Sequence, residues 1–464
     1  VLIRDAEIWQ KGRADLRCAA GRIIAIGQLT PQNGETVIEA NGGALLPGLH
    51  DHHIHLAALA VKSTSVICGP PEIRDEVAFA VRLANVGASG WIRGILYHES
   101  VMGLPGARTL DRLVAARPLR IQHRGGRLWL LNSAALDALL ALAPAPVGLV
   151  RDASGYTGHL FDEDDWLRAT LAAEPPDFGN VSGDLARFGI TGITEMSPRN
   201  DAGMAAHFAA QMTSGALQQN VLLAGALSLS GAPAGPWRLG AAKLHLHEPS
   251  LPDFDQAAAF MTVAHRQNRP VAIHCTTEVE LVFTLAALET TGSIAGDRIE
   301  HAGIAGDDHI ARIAALGLAV VSQPHFIAER GDDYLRDVEP RHHGELYRLA
   351  AFARAGVPLA AGSDAPFGSA DPWAAMRAAI SRATPSGRII GPDEALSPEA
   401  ALALFLADPE DLTRQRRMAP GEPGDLCLLS LPWQEARTRL LAEDVRAIVI
   451  GGKLVHQRVD QPPA

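Results

Sequence analysis

The sequence predicts an α/β fold: a (β/α)8 TIM barrel accompanied by a small β-sandwich-like domain built from both chain ends. Three observations carry this. Eight strand-like runs alternate with helical patterns through the middle of the chain, and such alternation marks a parallel sheet that can close on itself. Several of the runs are apolar almost throughout, as strands covered on both faces require. Short strands without helices lie at each end, and neither set can bury a face alone.

In chain order, Leu2 to Trp9, Arg22 to Ile26 and Val37 to Ala40 read as short strands, with turns at Ala19-Ala20-Gly21-Arg22 and Asn41-Gly42-Gly43. Their partners are expected at the other end, where residues 425–429 and 445–450 are strand-like and Gly451-Gly452 turns the chain into Lys453-Leu454-Val455-His456. Residues 1–44 and 411–464 should therefore form the small β domain, and residues 45–410 the barrel. The barrel strands are expected at 45–55, 190–196, 221–227, 241–246, 270–275, 297–302, 316–322 and 357–362, with helices such as 253–268, 278–290, 307–316 and 345–355 between them. A helix at 398–407 should close the barrel. The stretch from Leu56 to about Phe188 breaks the rhythm. With helices at 71–85, 133–142 and 163–172 and strands at 91–97 and 119–123, it reads as an insertion after the first strand, at the barrel end that builds active sites.

The chain has 464 residues, 47% of them hydrophobic, and a formal net charge of −11. That suffices for a large core, and no Lys/Arg block suggests nucleic acid. No uncharged apolar run reaches about 18 residues, so no membrane span is expected. Residues Val1 to Asp5 lack the layout of a signal peptide. The four cysteines, Cys18, Cys68, Cys275 and Cys427, are scattered, which fits a reducing cytoplasm.

The run Leu45-Leu46-Pro47-Gly48-Leu49-His50-Asp51-His52-His53-Ile54-His55 ends in a His-x-His pair. Residues two apart on a strand share a side, so Asp51, His53 and His55 face one way, and His50, His52 and Ile54 the other. Two imidazoles on one side of a strand end suit a divalent metal. Later strand ends add donors: Lys243, His245 and His247 on one face, then His274, His301 and Asp364. Four histidines and an aspartate can hold two ions if something bridges them. A buried lysine can do so once CO2 carbamylates its neutral amine, which burial favours by lowering the pKa. Lys243 is otherwise odd on a barrel strand, because lysines there usually reach water or an ion pair.

Together, Pro47 to His55, Lys243, His274, Arg298-Ile299-Glu300-His301-Ala302 and Gly362-Ser363-Asp364 resemble the amidohydrolase superfamily. The nearer likeness is to the branch called amidohydrolase family 3, which includes N-substituted formamide deformylases. Leu131-Asn132-Ser133-Ala134-Ala135-Leu136, Gly189-Ile190-Thr191-Gly192-Ile193-Thr194 and Pro420-Gly421-Glu422-Pro423-Gly424-Asp425-Leu426 are similar to patterns of that branch, and the resemblance spans essentially the whole chain. It implies that His53 and His55 hold the more buried metal and His274 and His301 a second. Carbamylated Lys243 would bridge them, and Asp364 would touch a metal and the nucleophilic water. Asp51 would accept a hydrogen bond that fixes a histidine tautomer. The cofactor implied is a divalent metal, zinc first, one or two per chain. The chain departs from the family in having His245-Leu246-His247-Glu248 where members often carry Phe-Ala-Asp-Gly, and Gly125-Gly126-Arg127 where many have Asp-Gly-His.

The reaction expected is hydrolysis of an amide, formamide or N-acyl C–N bond of a small molecule by metal-activated hydroxide. Asp364 would carry the proton from water to the leaving nitrogen. His325 is a candidate donor to the oxyanion. Arg124, Arg127 and Trp129 are candidates for a substrate acid or ring, and His245 lies near the expected pocket. The alternatives are a one-metal deaminase or cyclic amidohydrolase on the same fold, and an inactive barrel acting as a binding protein. The expected partners are a small-molecule substrate and a second copy in a homodimer, without nucleic acid or membrane.

Overall fold

The computed structural model describes residues 1–70, 72–87, 90–171 and 175–458. The outer ends of two expected helices, at Pro71 and Ala172, and residues 459–464 of the expected β domain lie outside the described residues. The chain divides into two compact units, Val1–Leu56 with Asp177–Ala464, and Ala57–Pro176.

In the first unit, eight parallel strands form one sheet in chain order: Leu49–Ile54, Ile190–Glu195, Asn220–Gly225, Arg238–Leu244, Val271–Cys275, Arg298–His301, Ala319–Ser322 and Leu359–Ala361. The sheet closes just beyond the last strand, where Asp364 N–H donates to the His53 carbonyl at 2.7 Å and His55 N–H to the Ala365 carbonyl at 2.9 Å. The residue types explain the elements. Strands such as Ile190–Glu195 and Ala319–Ser322 are buried at every position, as strands between a packed interior and a ring of helices must be. Helix Glu278–Thr291 starts at a capping box of Thr277 and Glu280, which satisfies two otherwise free N–H groups. Met261, Leu285, Leu288, Ile313, Val320 and Phe352 fill the layer between strands and helices.

The expected strand 45–55 is two strands in two sheets. Ala44–Pro47 pairs antiparallel with Leu426–Leu429, while Leu49–Ile54 opens the barrel beside Ile190–Glu195. Gly48 is the switch. A Cβ there would lie 2.2 Å from the Thr191 side chain, so only glycine lets the chain pass from one sheet to the other.

Both chain ends share one eight-stranded sheet, ordered Lys453–Gln457, Val445–Ile450, Leu426–Leu429, Ala44–Pro47, Leu2–Ile8, Gly12–Ala19 and Arg22–Gly27. Val37–Glu39 pairs with the first half of Leu2–Ile8, which therefore forks. Gly12–Ala19 is a strand beyond those expected. Arg13, Asp15 and Arg17 alternate there with Ala14, Leu16 and Cys18, and the strand pairs on both sides. Asp411–Gln415 instead pairs with Ala407–Asp408 in a hairpin of their own.

The second unit contains a six-stranded mixed sheet and helices that include Glu76–Ala84, Ser133–Leu140 and Asp164–Leu171. Its strands Val66–Ile67, Leu128–Leu131, Leu149–Asp152 and Gly155–Phe161 add to the two expected from sequence. Helix Gly179–Arg187, inside the expected insertion, belongs to the first unit and feeds the second barrel strand. All four cysteines are free and buried. Among the described residues no helix is long and apolar enough to cross a membrane.

Candidate metal centre

The barrel gathers its polar residues at the C-terminal ends of the strands. His53 and His55, two apart, leave the first strand on one side with ring centroids 5.3 Å apart. Asp364, just past the eighth strand, brings Oδ1 to 3.4 Å from His53 Nε2 and 3.1 Å from His55 Nε2. One ligand atom from each of the three lies within 4.8 Å of the others. From there the rings continue, His53 to His301 at 4.9 Å, His301 to His274 at 4.4 Å and His274 to His245 at 4.3 Å. His301 and Asp364 adopt left-handed backbone, with φ of 71° and 51°. Such positions cost about 1–3 kcal/mol for residues other than glycine and concentrate at functional sites.

Hydrogen bonds fix two ring orientations. His53 Nδ1–H donates to Glu300 Oε2 at 2.5 Å, and His301 Nδ1–H donates to Gln323 Oε1 at 2.7 Å. Because both partner atoms act as acceptors, each ring keeps its Nε2 lone pair for a ligand. Glu300 in turn accepts from Arg298 Nε at 2.6 Å, and Arg298 also donates to the His52 carbonyl. Neither Glu300 nor Gln323 received a role from the sequence. The signal for Glu300 was the Arg-x-Glu spacing, which puts a counter-charge on the carboxylate's own face of the strand. His55 Nδ1 bonds Ser197 Oγ at 3.1 Å.

The electrostatics suit a cation. Burial opposes charge on Glu300, yet Arg298, His53 and Lys243 hold its carboxyl below the ordinary range. Burial likewise works against Asp364, but the His55 hydrogen bond and the nearby His53 and His301 keep it ionised. Burial lowers His53 and His301 to about 4, so both are neutral at pH 7, as metal ligands are. Burial also brings Lys243 down to about 8 despite the opposing pull of Glu300, which leaves part of the amine neutral. Lys243 Nζ and His301 Nε2 are buried with no hydrogen-bond partner among the described residues. An unsatisfied buried polar atom costs about 1–3 kcal/mol. Two of them beside a His–His–Asp cluster fit a divalent metal with a carbamate on the lysine.

The other sequence candidates fall elsewhere. Asp51, expected to fix a histidine tautomer, instead accepts from the backbone N–H groups of His53 and Ser363 at 3.1 and 2.9 Å. It ties the first strand to the eighth, and Glu300 holds the ring. His50 and His52 pack against each other, with ring centroids 4.6 Å apart and His50 Nε2 on Thr194 Oγ1 at 2.9 Å. His325 is buried and donates Nε2–H to the Ser363 carbonyl at 2.9 Å. His245 is exposed to a cavity of about 550 Å³ that His55, His274, His301 and Asp364 also line. Arg127 and Trp129 stand in the second unit and are engaged within it. Arg127 forms a two-pronged ion pair with Asp162, and the buried Trp129 donates Nε1–H to Asp164.

The sequence profile described as an amidohydrolase family matches residues 36–456. The chain is 26% identical to an N-substituted formamide deformylase of Arthrobacter pascens, over 84% of each chain. It is 24% identical to the putative amidohydrolase YtcJ of Bacillus subtilis, over 91% of this chain and 90% of the relative. In three dimensions it resembles an uncharacterized metal-dependent hydrolase from Pyrococcus horikoshii, with TM-score 0.75 at 18% identity, covering 92% of this chain and 97% of that one.

Proposed function

The chain belongs to the amidohydrolase family, and from that membership, which makes it a metal-dependent hydrolase acting on carbon–nitrogen bonds, we propose a binuclear zinc enzyme that cleaves the amide, formamide or N-acyl bond of a small molecule. The observation that supports this most is the convergence of His53, His55 and Asp364 beside the oriented ring of His301 and a buried lysine amine without a hydrogen-bond partner among the described residues. In this reading His53 and His55 hold one ion, His274 and His301 the other, and carbamylated Lys243 joins them. When bound, the ions supply Lewis acidity, polarising a carbonyl and making water a stronger acid.

The remaining work falls to the chain's own residues. Asp364, ionised at neutral pH, accepts a proton from the attacking water and returns it to the leaving nitrogen. Glu300 keeps the His53 proton on Nδ1 throughout. His245, on the cavity wall against His274, is placed to contact the reacting carbonyl. The name of the Arthrobacter relative supports including formamides among the substrates.

A one-metal deaminase is a second reading, favoured by one observation: among the described residues only His53, His55 and Asp364 bring three ligand atoms within 4.8 Å. The test is a screen of zinc- and manganese-loaded protein against N-formyl amines, N-acyl amines, cyclic amides and amino-substituted nitrogen heterocycles. Release of free amine from the N-formyl or N-acyl amines supports the proposal, and ring opening of the cyclic amides alone selects a cyclic amidohydrolase. Ammonia from the heterocycles alone selects the deaminase, and turnover of nothing returns the account to a binding protein.

A further inference from the structure

Helix His325–Asp337 begins where the seventh barrel strand ends. It carries Phe326, Arg330 and Tyr334 at four-residue spacing, which puts them on one face. All three line the same cavity as the histidines of the metal centre. A face made only for core packing would be apolar at the middle position, yet here it presents a guanidinium. Arg330 Cζ lies 4.1 Å from the Phe326 ring centroid, and its terminal N–H also donates to the Phe367 carbonyl. Stacking and that bond hold the guanidinium plane in place. Among the described residues Arg330 forms no ion pair, and Asp364, committed to the metal centre, is the only carboxylate among those lining the cavity. The hydroxyls of Tyr334 and Tyr347 lie 3.2 Å apart on the same wall. Burial raises both phenols, so both stay neutral; one hydroxyl donates to the other, and the pair keeps one O–H to offer a ligand.

The geometry points to an anion subsite: Arg330, with Tyr334 and Tyr347 beside it, takes the carboxylate of a substrate whose scissile bond lies at the metal centre, so that N-acylated amino acids are the substrate class. This rests on the reading that the cavity is the hydrolase's substrate pocket. A guanidinium offers a carboxylate parallel charge-assisted bonds. A neutral substrate filling the cavity would instead strip water from Arg330 and return no partner, at a cost to binding. Selection therefore comes from both sides, attraction of the acid and rejection of its neutral analogue.

The test uses methanesulfonyl-phenylalanine and methanesulfonyl-phenethylamine, which share the ring and the sulfonamide, resist hydrolysis and differ only in the carboxylate. Calorimetric titration of zinc-loaded wild-type protein should give binding of the acid about ten- to a hundredfold tighter than of the neutral analogue, the range of a hydrogen bond to a charged group. The preference should vanish in Arg330→Met and survive in part in Arg330→Lys, with unchanged melting curves reporting intact folds. Equal binding of the two probes to wild type, no binding of the acid, or a preference that persists in Arg330→Met overturns the subsite. Hydrolysis of N-formyl- and N-acetyl-phenylalanine is measured alongside. Turnover without carboxylate preference sinks the subsite and spares the hydrolase, whereas carboxylate preference without turnover does the reverse.

Discussion

Replacing Glu300 with glutamine removes one charge and almost no volume, and it probes how the first metal-facing histidine is held. Glu300 accepts from His53 Nδ1 at 2.5 Å through one oxygen and from Arg298 Nε at 2.6 Å through the other. All three side chains are at most 5% exposed. Both neighbours are donors. Glutamine has one acceptor oxygen and one NH2 group, so either orientation sets a donor against a donor. If the NH2 faces His53, the ring moves its proton to Nε2 and loses the lone pair there. Metal affinity then falls by about 10- to 100-fold, the usual loss when such an orienting partner goes. In either orientation the buried Arg298 guanidinium loses its counter-charge, which costs about 3–5 kcal/mol of stability, so stability falls whichever way the amide turns, and metal affinity falls with it when the NH2 faces His53. Zinc affinity is read by competition with a chromophoric chelator, and stability by urea unfolding of the metal-free protein. A Glu300→Gln protein with wild-type values in both assays would refute the buried Arg298–Glu300–His53 chain as the device that holds the ring.

Gly362→Ala should lower both the melting temperature and zinc affinity, because the new Cβ would lie 2.3 Å from the His53 backbone nitrogen and 2.5 Å from its Cβ. Overpacking of this kind costs about 1–3 kcal/mol, and thermal melts with a zinc titration check it. Removal of metal with a chelator should abolish hydrolysis, and re-addition of zinc should restore it while the circular dichroism spectrum stays unchanged. Asp332 tests the pH dependence away from the centre: the Ser386 hydroxyl first, then Thr384 and Arg388, hold its carboxyl at about 2. The folded value lies below the unfolded value of about 3.9. Its stabilisation is therefore complete above roughly pH 4 and lost as pH falls toward about 2. Asp332→Asn should lower the melting temperature at pH 7, with a gap from wild type that narrows at pH 3; a gap independent of pH would contradict the assignment.

The parts legible in the sequence were those written locally. A His-x-His at a strand end, a lysine in an apolar run and an aspartate after Gly362-Ser363 each sit within a few residues of the strand that carries them, so periodicity alone orients them. Partners brought together by closure of the barrel were not legible. Glu300 reaches His53 from the sixth strand, and Gln323 reaches His301 from just past the seventh. Nothing near either residue announces its partner. Gly48 was hidden for another reason. Apolar residues flank it on both sides, and only the close approach of Thr191 separates two strands that read as one. Gly12–Ala19 alternates polar with apolar residues and Leu128–Leu131 is wholly apolar, so both carry a local strand pattern, whereas the mostly exposed Leu149–Asp152 owes its form to pairing with Gly155–Phe161. The Phe326, Arg330 and Tyr334 face was available as four-residue spacing, but it gains meaning only once the helix is known to border the cavity.

The most direct test of the two-metal account is the metal content of purified protein, measured by inductively coupled plasma mass spectrometry after equilibration with trace zinc. The account predicts about two ions per chain in the wild type, as a two-metal site requires, and a loss of at least one in Lys243→Ala. A single tightly held ion in both proteins would contradict the lysine-bridged pair, and a wild type that retains no metal would contradict the centre itself.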